Sequence, residues 1–125
     1  MLTARDLMTE SPAVIEVTAT LRSAVDRLQA LDIRHLPVID DDGELVGMLS
    51  DRDLRGSAPA DAAVATVMSA DVIAVDEEAD AAEIVDLMID NKIGAVPVID
   101  ADRTLVGIVS YVDLLRALPF DRAAE

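Results

Sequence analysis

The chain contains the stretch Ile-Arg-His-Leu-Pro-Val-Ile-Asp at residues 33–40 and the stretch Ile-Gly-Ala-Val-Pro-Val-Ile-Asp at residues 93–100. The similarity extends over 33–54 and 93–114, where 12 of 22 positions are identical after a shift of 60 residues. A repeat that occurs only twice indicates a pseudo-symmetric pair of small units and not a long solenoid. Because such a pair creates two related clefts, we expect function to lie in those clefts.

Each repeat has the same predicted order of elements, β-α-β-β-α. Apolar residues at helical spacing predict a first helix, and Thr20 and Asp80 stand at its N-cap in the two repeats. A second helix is expected to open near Asp51 and near Tyr111. Between the helices, tight-turn residues predict strand pairs at 35–40 with 44–49 and at 95–100 with 104–109.

The predicted fold class is α/β (α+β), with the two repeats packed through their sheets by pseudo-two-fold symmetry. A three-stranded sheet with helices on one side leaves an apolar face uncovered, and two copies bury those faces against each other. The domain boundaries follow from the repeat and from the small polar residues that separate its copies. We expect a first repeat at 1–56, a linker at 57–62, a second repeat at 63–120 and a C-terminal tail at 121–125.

The composition is strongly acidic, with 25 Asp and Glu residues against 10 Lys and Arg residues and a net charge of −15. A field of this sign repels phosphate backbones, so we expect no nucleic-acid partner. The absence of Cys excludes disulfides and thiol chemistry. No apolar run approaches the roughly 18 residues of a membrane span, and residues 1–6 do not read as a signal peptide. We therefore expect a cytoplasmic protein with no membrane partner, and its acidic, Lys-poor composition resembles that of halophilic archaeal proteins.

The doubled phrase h-x-x-h-P-V-h-D followed by L-V-G-h-h-S-x-x-D-L, where h is an apolar residue, resembles a tandem cystathionine β-synthase (CBS) domain pair, or Bateman module. The resemblance covers residues 3–118, nearly the whole chain. It implies regulatory binding of adenine nucleotides or S-adenosylmethionine in clefts between the two repeats. It also implies frequent dimerisation of two modules.

Two Ser-x-x-Asp motifs are the leading candidates for ligand contact: Ser50 with Asp53, and Ser110 with Asp113. Each motif follows a predicted buried strand and opens a helix, whose N-terminal N–H groups suit a phosphate. A carboxylate three residues on suits the two hydroxyls of a ribose. In the family, the equivalent Asp is the usual ribose anchor. The alternative is an ordinary helix cap, because Thr3-x-x-Asp6 has the same pattern with no preceding strand.

Further candidates depend on the resemblance. Basic residues at the positions of Arg34 and His35 often reach ligand phosphates in the family, and the second repeat has Gly94 and Ala95 there. The alternative for this pair is a solvated Arg and a partly buried His. The remaining predicted ligand contacts, which include the region of the family's adenine pocket, are Thr9, Val14, Ser69, Ile73, Ile93 and Pro97.

We expect no metal site and no enzyme activity. There is one His, and the acidic runs 40–42 and 76–78 are better explained as a turn and a solvated helix start. The chain has no recognisable nucleophile–base constellation and no Walker-type loop, so a nucleotide would be held and not hydrolysed.

The leading interpretation is a ligand-sensing module with AMP, ADP, ATP or S-adenosylmethionine as its regulatory ligand, a homodimeric assembly and an unidentified regulated protein as partner. The alternative is a dimeric adaptor without a small-molecule ligand. Its surface would include Leu115, Leu118, Pro119 and Phe120.

Overall fold

The computed structural model describes residues 2–117, and these residues form two compact units. The first unit comprises residues 12–72 and 103–105, and the second comprises residues 2–11, 73–102 and 106–117. The expected C-terminal tail, the end of the second repeat, and Leu118, Pro119 and Phe120 lie outside the described residues. In chain order the elements are α1 (Ala4–Leu7), β1 (Thr9–Glu10), β2 (Ile15–Glu16), α2 (Leu21–Leu31), β3 (His35–Ile39), β4 (Leu45–Ser50), β5 (Val75–Asp76), α3 (Ala81–Asn91), β6 (Ala95–Ile99), β7 (Leu105–Ser110) and α4 (Tyr111–Ala117).

The two units repeat one plan, and the mixed α/β class is confirmed. The first unit has a sheet of order β2-β3-β4, in which β2 is parallel and β4 antiparallel to β3. The second unit has the order β1-β7-β6-β5, in which β5 is parallel to β6. Both hairpins form close to the predicted bounds, and none of the helices within residues 2–117 has the length and apolar character needed to cross a membrane.

The long helices begin where the caps were predicted. The Thr20 side chain accepts a hydrogen bond from the Ser23 backbone N–H at 3.1 Å, and the Asp80 side chain accepts one from Glu83 at 2.9 Å. Each bond satisfies an N–H group that the first turn of a helix leaves unpaired. The helices then cover their sheets with apolar residues, which in the two cores are Leu21, Ala24 and Leu28, and Ile84 and Met88.

Residues 3–11 open the first repeat, and residues 64–69 open the second. Each of these opening segments packs on the sheet that contains the hairpin of the other repeat. Residues 64–69 belong to the first unit, where Met48 and Ser69 exchange two backbone hydrogen bonds of 2.9 Å. Residues 3–11 belong to the second unit, where β1 pairs with β7 and Thr9 lies opposite Ile108. The compact units are therefore discontinuous in sequence and cross the repeat boundaries.

The second helix of the first repeat differs from the prediction. Only a three-residue 3₁₀ turn forms, at Asp53–Arg55, whereas the second repeat forms α4 over seven residues. Gly56 follows this turn, whereas the second repeat has Arg116 at the equivalent position inside α4, and glycine is a poor helix former. The prediction of a second helix near Asp51 is therefore wrong for the first repeat and confirmed near Tyr111 for the second.

Candidate functional site

In the first unit, the Ser-x-x-Asp motif forms a closed turn at the end of β4. The Ser50 backbone N–H donates to Asp53 Oδ2 at 2.8 Å, and the Asp53 N–H donates to Ser50 Oγ at 3.3 Å. Both residues are half-buried. This reciprocal pair of bonds has the geometry of a capping box.

The second unit repeats this turn at the end of β7. The Ser110 N–H donates to Asp113 Oδ2 at 2.8 Å, and the Asp113 N–H donates to Ser110 Oγ at 3.3 Å. In addition, the Ser110 hydroxyl lies 3.1 Å from the same carboxylate oxygen. The two candidate motifs therefore have one local geometry, although a 3₁₀ turn follows the first and an α-helix the second.

The capping interpretation of these motifs is confirmed for one carboxylate oxygen of each aspartate, Oδ2. Thr3 and Asp6 make the same bond, from the Thr3 N–H to Asp6 Oδ2 at 2.9 Å, in a segment that follows no strand. Within residues 2–117 the Oδ1 atoms of Asp53, Asp113 and Asp6 receive no hydrogen bond, but only Asp53 and Asp113 are half-buried in a turn that follows a strand. A carboxylate accepts at both oxygens, so each aspartate closes its turn with Oδ2 and keeps Oδ1 for another donor.

The first unit's turn carries a small cluster of charged side chains. Arg34 Nη1 lies 3.1 Å from Asp51 Oδ2, and Arg55 Nη2 lies 3.7 Å from the same oxygen. The backbone joins them as well, because the Asp51 N–H donates to the Arg34 carbonyl at 2.9 Å. Both arginine side chains are exposed, at 68% and 74%. Arg34 is thus held beside the Ser50–Asp53 turn.

His35 lies opposite Ser50 in the β3–β4 register and is partly buried. Burial, the largest influence, lowers the pKa of the His35 imidazole below its usual value near 6.5. The carboxylates of Asp51 and Asp53 act in the opposite direction, and the guanidinium of Arg34 lowers the pKa further. The neutral imidazole is therefore favoured in the folded protein near neutral pH.

The second unit has a different surface at the equivalent turn. The Tyr111 N–H donates to the Gly94 carbonyl at 3.0 Å, which matches the Asp51–Arg34 backbone bond. The side chains at these positions carry no charge, and exposed Tyr111, Val112 and Leu115 follow Ser110. The two turns therefore share a backbone hydrogen bond and differ in the charge of their side chains.

The other predicted residues divide between the units. Thr9 lies opposite Ile108, two positions before Ser110, and Ser69 lies opposite Met48, two positions before Ser50. Pro97 is fully buried in β6. The predicted residues of the first unit are Val14, Arg34, His35, Ser50, Asp53 and Ser69, and those of the second are Thr9, Ile73, Ile93, Pro97, Ser110 and Asp113.

The acidic run 40–42 forms a turn, as predicted, and the run 76–78 also forms a turn, where a helix start was predicted. Asp40 Oδ1 accepts the N–H groups of Asp42 at 2.9 Å and Glu44 at 3.0 Å, and Asp76 Oδ1 accepts that of Glu78 at 2.8 Å. No group of three or more His, Cys, Asp and Glu side chains in residues 2–117 has an arrangement that could hold a metal ion.

Asp51 and Arg55 were not predicted as site residues, although the structure joins Asp51 to both Arg34 and Arg55. The four-residue spacing of Asp51 and Arg55 is a sequence signal for an ion pair within a helical turn. The contact with Arg34 depends on the register of the β3–β4 hairpin, which brings together residues 17 positions apart.

Comparison with known proteins identifies the family. The CBS domain model matches residues 4–59 and 64–119. Hypoxic response protein 1 of Mycobacterium tuberculosis is 35% identical over 125 residues, which cover 95% of this chain and 87% of that protein. The inosine-5'-monophosphate dehydrogenase of Methanocaldococcus jannaschii is 29% identical over 121 residues, and the match spans 97% of this chain but only 23% of that enzyme.

Solved structures with the same fold include ligand complexes. The structure of CBSX2 in complex with AMP has a TM-score of 0.84 and 26% identity, and covers 94% of this chain and 96% of that chain. The CBS domain pair of protein MJ0100, in complex with 5'-methylthioadenosine and S-adenosyl-L-methionine, has a TM-score of 0.84 and 27% identity, with coverages of 93% and 94%. Hypoxic Response Protein I with two coordinated zinc ions has a TM-score of 0.82 and 34% identity, with coverages of 94% and 99%. The doubled hairpin, the two Ser-x-x-Asp turns and these matches lead to one conclusion: the chain belongs to the CBS domain family and contains two CBS domains in tandem.

Proposed function

We propose that this CBS pair is a regulatory module, without catalytic activity of its own, that binds AMP, ADP, ATP or S-adenosylmethionine. The observation that carries the proposal is the position of Asp53 and Asp113, each half-buried in a turn at the end of a hairpin strand, which Asp6 lacks. Each holds its turn through Oδ2 and has no donor to Oδ1 among the described residues. A ribose supplies such donors, because its hydroxyl groups donate hydrogen bonds to a carboxylate.

The neighbourhood of each turn supports an adenosine ligand. In the first unit, Arg34, Arg55 and His35 lie beside the turn, and a guanidinium matches the geometry of a phosphate. In the second unit, uncharged Gly94 and exposed apolar side chains suit a ligand part with less negative charge. The complexes of CBSX2 and MJ0100 show that pairs of this fold hold AMP, methylthioadenosine and S-adenosylmethionine.

Regulation requires that the ligand change an equilibrium. Ligand binding biases a protein only if the ligand has different affinities for two states. We propose that these states concern a homodimer of this chain or its complex with an unidentified regulated protein. The exposed apolar residues Leu31 and Ile89 on the long helices and Tyr111, Val112 and Leu115 on α4 are the surfaces that support an assembly.

The second candidate function is an adaptor that dimerises without a small-molecule ligand. The same exposed apolar side chains of α4 favour it. Light scattering separates the two candidates: a dimer whose mass and stability do not respond to any of the four ligands supports the adaptor. A ligand-bound monomer contradicts it.

The direct test is a ligand panel of AMP, ADP, ATP and S-adenosylmethionine, with GMP as control, followed by thermal unfolding and calorimetry in KCl. Ligand at 100 times its Kd stabilises the folded state by about 2.7 kcal/mol, which corresponds to a rise of several degrees in Tm. We expect at least one adenosine ligand to produce this rise and GMP to produce a smaller one. No shift and no binding heat with any of the four ligands would refute the sensing function.

A further inference from the structure

Asp51 contacts two arginines beside the first unit's turn, Arg34 and Arg55, through one oxygen atom. Arg34 Nη1 and Arg55 Nη2 lie 3.1 Å and 3.7 Å from Asp51 Oδ2. Asp51 itself belongs to the Ser50–Asp53 turn, between the two residues that close it. Any ligand that uses the Asp53 carboxylate in the first unit therefore meets an arginine that already has an anionic partner.

The Arg34–Asp51 pair is easily broken. The side chain of Arg34 is 68% exposed and that of Asp51 is 35% exposed, so solvent screens their attraction. Exposed ion pairs of this kind contribute little to stability. A phosphate group carries a higher charge than a carboxylate and can bind Arg34 through two parallel hydrogen bonds. It can therefore replace Asp51, which makes a single contact with Arg34.

We propose that Asp51 is a specificity-determining residue of the first unit's site, where its carboxylate competes with ligand phosphate for Arg34. With Asp51 present, the site binds phosphorylated adenosine ligands less tightly than it would if Arg34 had no anionic partner. Asp51 therefore reduces the ratio of the affinity for phosphorylated ligands to the affinity for uncharged nucleosides. This inference rests on the proposed function, because it concerns the ligand of the same turn.

The second unit provides an internal comparison. Tyr111 occupies the position of Asp51 and Gly94 that of Arg34, with the same backbone hydrogen bond between them at 3.0 Å. The backbone geometry of the turn therefore forms without the ion pair. The side chain of Asp51 is available for a role in ligand selection, since the turn does not need it for closure.

The test compares ADP with adenosine, without divalent metal, on the wild-type protein, Asp51→Asn and Asp51→Glu. The imidazole resonances of His35 report on the first unit alone, because His35 is the only histidine and lies opposite Ser50. At pH 8 the imidazole is neutral in all three proteins, since burial lowers its pKa. Titrations followed at these resonances give a Kd for each ligand.

We expect Asp51→Asn to lower the Kd of ADP about fivefold at low salt, the size of change that loss of one exposed competing ion pair permits. The Kd of adenosine should stay within about twofold, and Asp51→Glu, which keeps the charge, should resemble the wild type. The gain for ADP should shrink in 1 M KCl, where the screening length falls to about 3 Å.

The possible failures are distinguishable. If the wild-type protein binds both ligands but Asp51→Asn changes neither Kd, or changes both equally, the competition is wrong and the proposed function stands. If ADP binds without moving the His35 resonances, the inference is also wrong, because the first unit is then not the site. If no variant binds either ligand, the inference is wrong, and the proposed function fails with it only if AMP, ATP and S-adenosylmethionine also produce no shift and no binding heat.

Discussion

Met68 packs its side chain directly on Gly47, at the place where a Cβ on that glycine would overlap the methionine sulfur. Met8 and Gly107 repeat this relationship in the second unit. The two strand glycines therefore allow the opening segments to lie on their sheets, as expected for a glycine inside a strand.

A side chain at Gly47 should destabilise the first unit. We expect Gly47→Ala to lower the free energy of unfolding by about 1–3 kcal/mol, the usual cost of overpacking. Urea unfolding measures the loss. A double-mutant cycle with Met68→Ala should show favourable coupling, because the shorter side chain no longer meets the new methyl group.

Gly56 is the matched control. Its φ is −75°, and no atom lies within 4 Å of a Cβ built on it. Gly56→Ala should leave stability unchanged or raise it slightly. Equal losses for Gly47→Ala and Gly56→Ala would contradict the packing explanation.

Both hairpin turns should be more stable with glycine than with another residue at the position of positive φ. Gly43 has φ +81° and Arg103 has φ +64°, a region that costs an L-residue about 1–2 kcal/mol. We expect Arg103→Gly to raise the free energy of unfolding by up to about 1 kcal/mol and Gly43→Ala to lower it by a similar amount. Chemical denaturation checks both, and a loss in Arg103→Gly would show that its side chain contributes more than its backbone costs.

The three Ser/Thr-x-x-Asp turns separate capping from ligand binding. Asp53→Ala and Asp113→Ala should each cost about 1 kcal/mol of stability through the lost capping bond. Asp6→Ala removes the same kind of bond from α1. Only the first two variants should weaken ligand binding, as measured by calorimetry. A similar loss of affinity in Asp6→Ala would indicate that the effect of all three is structural.

His35 should make stability depend on pH. Its pKa is lower in the folded protein than the usual value near 6.5, so the unfolded chain binds more protons between the two values. This contribution is fully present above about pH 6.5 and is lost as the pH falls through the folded pKa. His35→Gln should flatten the dependence of stability on pH below about pH 6.5. An unchanged slope in that variant would exclude His35 as its source.

The net charge of −15 should make the protein more stable in salt. Repulsion between carboxylates opposes the compact state, and the screening length falls from about 10 Å at 0.1 M to about 3 Å at 1 M. We expect the Tm to rise with KCl. Neutralising the exposed carboxylates of Asp41 and Asp102 by Asn should make the rise shallower. A Tm that does not respond to KCl would contradict this view.

Local chemistry explains what the sequence predicted well. Thr20 and Asp80 cap the helices because the capping bond joins residues three positions apart, and Gly43 marks a hairpin turn for a similar local reason. The second helix of the first repeat was predicted wrongly because both repeats were given the same order of elements, although Gly56 stands where the second repeat has Arg116.

The contact between Arg34 and Asp51 was not predicted because it depends on the exact register of the β3–β4 hairpin. From Leu36↔Leu49 to Val38↔Gly47 the β3–β4 pairs keep one register, and the bulge between Val38 and Ile39 shifts it by one residue towards the turn. Counting back from the turn alone would place Arg34 opposite Ser50. The bulge places it beside Asp51, which is why the ion pair was not foreseen.

The sequence also did not predict which sheet each opening segment joins. Met8-Thr9 and Met68-Ser69 are nearly alike, and so are the strands that receive them around Gly47 and Gly107. The pattern therefore favours neither partner over the other. Which segment joins which sheet follows from the path of the chain and not from its residues.

The crossed opening segments have a consequence for how the protein could be divided. A break between residues 57 and 62 would give two fragments, each with a hairpin but without the segment that completes its sheet. Each fragment would carry the missing piece of the other. Such fragments, expressed from separate genes, would have to associate before either sheet is complete. The chain is therefore a candidate for a split-protein reporter.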